Sequence, residues 1–79
     1  MTVTRVFLMA GCPIFEIEEE DWVQALAVVR EAGHVGWVAH NSNPPFKKCR
    51  IAVRFAEEGH VVVPTEERVK ALHTLLRLS

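Results

Sequence analysis

The chain has 79 residues, 49% hydrophobic and 24% charged, with a formal net charge of −1. That length holds one domain near the lower limit for folding without staples, and the mixture argues against disorder. Cys12 and Cys49 are the only cysteines, too few for a disulfide framework and without the paired CxxC spacing of a zinc module, so reduced thiols in a cytoplasmic protein are the expectation.

Val3 to Met9, rich in β-branched and aromatic residues, predicts a strand. Met9-Ala10-Gly11-Cys12 has the form of a bacterial lipobox. The apolar run before it, Val6 to Met9, is too short for a signal-peptide core, and Arg5 alone stands ahead of it. Nowhere does an apolar run approach the roughly 20 residues that cross a bilayer, so no membrane is expected as a partner. Ala10-Gly11-Cys12-Pro13 is turn chemistry, which makes Ile14 to Ile17 a short returning strand.

A helix is predicted to begin near Glu18 or Glu19, where carboxylates suit the positive helix end. Trp22, Leu26 and Val29 recur at i, i+4 and i+7 as its buried stripe, flanked by Val23, Ala25 and Ala32, with Gln24 and Glu31 opposite. Val28 falls toward the polar side, either as a partner contact or as a stray exposed valine. Gly33 supplies the left-handed stop.

Val35 to His40 predicts the next strand, and residues 41–45 a loop. From Cys49 to Phe55 the residues alternate, with Cys49, Ile51, Val53 and Phe55 on one face and Arg50, Ala52 and Arg54 on the other. Glu57-Glu58-Gly59 reads as a hairpin turn and His60 to Val63 as its return. Thr65 caps a last helix with Glu66 and Glu67 in its first turn. Its buried stripe is Val69, Leu72 and Leu76, with Leu75 beside them and Lys70, His73 and Arg77 facing water. The result is a single α+β domain of order β-(β)-α-β-β-β-α. Its mostly antiparallel sheet of four to five strands carries two amphipathic helices on one face.

Charge is laid out in blocks. Glu16 to Glu31 holds six acids and one base, a net of −5; Ala32 to Ala56 holds four bases and no acid, a net of +4. Segregation of this kind favours docking with a defined polarity. The candidate binding residues are Lys47, Lys48, Arg50 and Arg54 as a cationic face and Glu18, Glu19, Glu20 and Asp21 as an anionic one. Asn41, Asn43 and Phe46 join them in the loop that Pro44-Pro45 stiffens. Solvation alone accounts for such a stripe about as well as binding does. Trp37 shares a strand face with Val35 and Ala39; it belongs to the core if that face meets the helices and is a binding anchor if the face is open.

Catalytic signals are weak. His34, His40, His60 and His73 match no ligand spacing with one another or with the two cysteines, so no metal is expected. Neither a phosphate-cradling glycine motif nor a local nucleophile–base set occurs, so neither enzymatic activity nor a cofactor is expected. The leading expectation is a small non-enzymatic homodimer that recognises another protein. Motif-poor chains of this type suit accessory or inhibitory factors of phages and mobile elements.

The order helix, three strands, helix from Glu19 to Leu78, with the stripe Lys48, Arg50 and Arg54, resembles double-stranded RNA-binding domains. That resemblance implies phosphate contacts from the start of the second helix. The matching stretch here is Thr65-Glu66-Glu67-Arg68-Val69-Lys70, with acids in much of the space where the family carries lysines. Nucleic-acid binding is accordingly the alternative expectation.

Overall fold

The computed structural model describes residues 1–41 and 47–79, with His40 and Asn41 described by backbone alone. Turn chemistry builds the first hairpin. Ala10 and Gly11 both take positive φ (52° and 77°), as a two-residue hairpin turn of matching twist requires. They join β1 (Val3–Met9) to β2 (Cys12–Glu18), with Met9 opposite Cys12. β2 is thus longer than the sequence suggested. Pro13 is tolerated because it lies ahead of Ile14, the first residue paired on the strand's other side.

β2 runs into a single 3₁₀ turn (Glu19–Asp21) and then α1 (Trp22–Glu31). At the helix end Gly33 sits at φ 87°. The Gly33 N–H donates to the Arg30 carbonyl (2.9 Å) and the His34 N–H to the Val29 carbonyl (3.1 Å). This is the paired closure that glycine at a helix terminus permits. β3 (Val35–Asn41) and β4 (Lys48–Arg54) follow. A short hairpin, β5 (Ala56–Glu57) and β6 (His60–Val61), turns through Glu58 and Gly59. Thr65 then caps α2 (Glu66–Leu78), its hydroxyl accepting from the Arg68 N–H at 3.3 Å.

The main sheet has the order β1-β2-β4-β3, antiparallel throughout, and β5-β6 form a separate two-stranded sheet. The α+β class, the antiparallel sheet and the helices on one face are therefore as the pattern predicts. The last strand is placed differently. Among the described residues β6 pairs only with β5, and β4 has β2 rather than a following strand as its second neighbour. The uninterrupted three-strand run behind the RNA-binding resemblance is therefore split between two sheets.

The core lies between the sheet and both helices. Phe15 and Ile17 of β2, Cys49, Ile51 and Val53 of β4, and Phe55 meet Ala25, Leu26 and Val29 of α1 and Leu72 and Leu76 of α2. Gly36 lets α1 approach β3, since a Cβ there would lie 3.0 Å from Val29 Cγ1 and 3.3 Å from Leu26 Cδ2.

Several placements depart from the helical patterns, among them Val23 and Leu75, which were read with the buried stripes and are exposed. Trp22 heads the predicted buried stripe but is 43% exposed, because it opens the first turn of α1 beside Glu18 to Glu20 and Lys47. Val28 is half-buried and packs against the core. His73 is also half-buried, its ring edge-on to Phe15 at 6.4 Å, rather than facing water. A turn of 3.6 residues leaves positions at the flank of a stripe dependent on what the neighbouring elements cover.

Candidate functional site

Strand alternation gives the sheet a second face on which neither helix packs. The register aligns one apolar residue from each strand across it. Phe7 stands opposite Ile14, Ile14 opposite Ala52, and Ala52 opposite Trp37. The two central members are shielded by their neighbours, with Ile14 3% and Ala52 2% exposed. The outer members are the aromatics, Phe7 half-buried and Trp37 38% exposed. They lie three strand spacings apart, about 14 Å.

Guanidinium groups stand over both rings. Arg5 lies 4.7 Å and Arg50 5.2 Å from the Phe7 centroid, and Arg54 lies 5.7 Å from that of Trp37. Each such contact is worth roughly 0.5–1 kcal/mol at an exposed site, and it holds a long side chain flat on the sheet.

A charged row runs beside the apolar one. Arg5 pairs in register with Glu16 and Glu16 with Arg50, whose Nε donates to Glu16 Oε2 at 3.2 Å. Glu18 faces Lys48, and their side chains form an ion pair; Lys48 also donates to Thr4 Oγ1 at 3.2 Å. The acidic and basic blocks of the sequence thus meet across the β2–β4 ladder instead of forming two separate faces at Glu18, Lys48 and Arg50. Counting Arg5, Lys48, Arg50 and Arg54 against Glu16 and Glu18 leaves this face at +2.

The remaining predicted residues scatter. Arg54 is exposed and shares the open face with Arg50. Lys47 lies outside the strand at positive φ (47°), and together with Glu18, Glu19, Glu20 and Trp22 it lines an open cleft of about 420 Å³. Asp21 closes the 3₁₀ turn, half-buried. Asn41 ends β3 opposite Cys49, while Asn43 and Phe46 lie outside the described residues. Arg5, Phe7, Ile14 and Ala52 were not singled out by the sequence, and Glu16 only as the start of the acidic block. Their signal was present in the alternation of Arg5, Phe7 and Met9, but only the register shows that it continues into β2 and β4.

At the start of α2 the cations are matched by acids. Arg68 pairs with Glu57 (2.6 Å) and Lys70 with Glu66 (2.9 Å). The Lys70 hydrogen bond and charge hold the Glu66 carboxyl below its ordinary range. Histidines and thiols are engaged separately. His34 Nδ1 accepts the Ala56 N–H at 3.1 Å, and its ring meets Phe55 edge-on at 4.6 Å. Cys12 donates to the Val53 carbonyl at 3.2 Å. Cys49 is buried in the core, where desolvation, assisted by the Glu19 charge, pushes its thiol upward. Among the described residues no three His, Cys, Asp or Glu side chains gather into a metal-holding group, and no helix is long and apolar enough to cross a membrane.

Comparisons with protein-family models, with curated proteins and with solved structures each find no match.

Proposed function

We propose that the chain is a non-catalytic binding module that recognises another protein through the helix-free face of its sheet. The observation that carries this reading is the row Phe7–Ile14–Ala52–Trp37, an apolar band ending in two accessible aromatics and framed by arginines. Aromatic and arginine side chains concentrate binding energy at protein interfaces. The residual charge of the face favours an acidic target. Lys48 and Arg50 act here as the framework of the surface and Arg54 as the accessible cation, with Lys47 and the Glu18–Asp21 block at its margin. In this reading the protein acts in the cytoplasm, as an accessory or inhibitory factor, and as a homodimer.

Arg–aromatic surfaces also suit single-stranded nucleic acid, but the chain's negative total charge and the carboxylates Glu16 and Glu18 on the face favour protein. The test is affinity capture from the native host's lysate with and without nuclease, using the natural chain and the variants Trp37→Ala and Arg54→Glu. A protein retained after nuclease treatment and lost with either variant is the expected result. Retention that vanishes with nuclease replaces this reading with nucleic-acid binding. Capture indifferent to both variants removes the open face as the site.

A further inference from the structure

The two edges of the sheet are finished differently. β1 carries Arg5 and a register shift at Thr4. β3, the opposite edge, reads Val-Gly-Trp-Val-Ala-His-Asn, with no Lys, Arg, Asp, Glu or proline, and its register shift comes only at Ala39. Charged side chains, prolines and bulges are how natural edge strands avoid pairing with another chain. From Val35 to Val38 none of these is present, and among the described residues no strand pairs with the outer side of β3.

We infer that this edge is the homodimer interface, with β3 of one protomer pairing antiparallel with β3 of its partner about a two-fold axis at Gly36. The inference rests on the homodimer of the preceding reading and gives it a location.

Three observations select a second copy as the occupant. An antiparallel two-fold keeps the open faces of both sheets on one side, and centring it on Gly36 sets Val35 of each protomer opposite Trp37 of the other. Val35 is 53% and Trp37 38% exposed, so both side chains gain shelter as aromatic–β-branched cross-strand pairs. Gly36, on the helix side, meets its own copy at the axis with no side chain to collide. Charge permits the same register. The Cα atoms of Arg54 and its copy come to lie three strand spacings and two residues apart, roughly 16 Å, so that the two arginines, each held over its own Trp37, are not set directly opposite each other. Stacking two open faces directly would instead bring one +2 surface onto another. The outcome is an eight-stranded sheet whose open face is continuous across both protomers.

Sedimentation equilibrium over a wide concentration range, combined with directed cross-linking, tests this. The natural chain is expected to shift from one to two chain masses. Val35→Glu/Trp37→Glu, which sets carboxylates directly opposite each other in both pairs, is expected to remain at one, with an unchanged melting temperature at high dilution. In a Cys12→Ser background, mixing chains carrying Val35→Cys and Trp37→Cys is expected to yield an inter-chain disulfide, because opposed residues of an antiparallel pair lie within bridging distance. Met9→Cys on the other edge is expected to yield none. A single chain mass at every concentration overturns the homodimer and the interface together. A dimer that survives the double substitution, or that cross-links equally through Met9→Cys, overturns the interface alone. Neither result touches recognition by the open face, which the Arg54→Glu capture reads separately, since Arg54 lies on β4 and outside the β3 pairs.

Discussion

The two faces of β2 and β4 come from the same fourteen residues and differ in almost everything else. On the helix side Phe15, Ile17, Cys49, Ile51 and Val53 are all fully buried and uncharged. On the other side Glu16, Glu18, Lys48 and Arg50 pair off around Ile14 and Ala52, while Arg54 reaches out over Trp37. Period-two alternation divides one ladder into a surface that holds the fold together and a surface available for contact. The lesson concerns mutability. Substitutions one residue apart on β2 or β4 should have opposite consequences, one for stability and the other for binding.

The largest expected effect breaks the covered face. Phe15→Ala is expected to cost about 3–5 kcal/mol in denaturant unfolding, enough to unfold a chain of this size, whereas Trp37→Ala should stay within about 1 kcal/mol. Gly36→Ala comes next, at about 1–3 kcal/mol, because the new methyl would lie 3.0 Å from Val29 Cγ1 and 3.3 Å from Leu26 Cδ2, and these packed side chains must give way to admit it. An unchanged unfolding midpoint for Gly36→Ala would mean that α1 does not press on β3.

Within the open face the contrast lies between two arginines. Arg50→Glu places a carboxylate directly opposite Glu16 and removes its donor, for an expected loss of about 1–2 kcal/mol. Arg54→Glu should remain within about 0.5 kcal/mol and affect binding alone. Equal stability losses in the two would show that the Glu16 pairing is not what distinguishes them.

The smallest effect sharpens the comparison through the thiols. Cys12 should alkylate in the native protein, and Cys49 only on unfolding. Burial raises the folded-state pKa of Cys49, so the folded protein holds this proton more tightly than the unfolded chain. Its contribution is complete below the ordinary thiol range and declines as pH rises above it. Cys49→Ala should therefore flatten the alkaline limb of a stability–pH curve. An alkaline limb of the same slope in the variant would assign that loss to other groups.

Much of the fold was legible because its signals are local. The alternation of Cys49 to Phe55, Gly33 at the end of α1 and the Thr65 cap each act within a few residues, and the structure uses them as read; the turn read at Glu57-Glu58-Gly59 forms at Glu58-Gly59 and joins β5 to β6. The open face was legible only in fragments. Arg50, Arg54 and Trp37 stood out by composition, while Arg5, Phe7, Ile14 and Ala52 looked like ordinary strand residues. Trp22 and His73 were misjudged for a related reason: a helical stripe states which residues can face inward, and the neighbouring elements decide how far that burial extends.

The sequence by itself determined the periodicities, the turns and the helix ends, since these follow from backbone geometry and nearest-neighbour chemistry. Only the tertiary structure decided that β2 inserts beside β4. That pairing is contact between residues thirty or more apart in sequence, and no local energy selects it. It cancels the acidic block against the basic one, aligns four apolar residues in a row across the sheet, and leaves β3 at the edge without a charge to guard it.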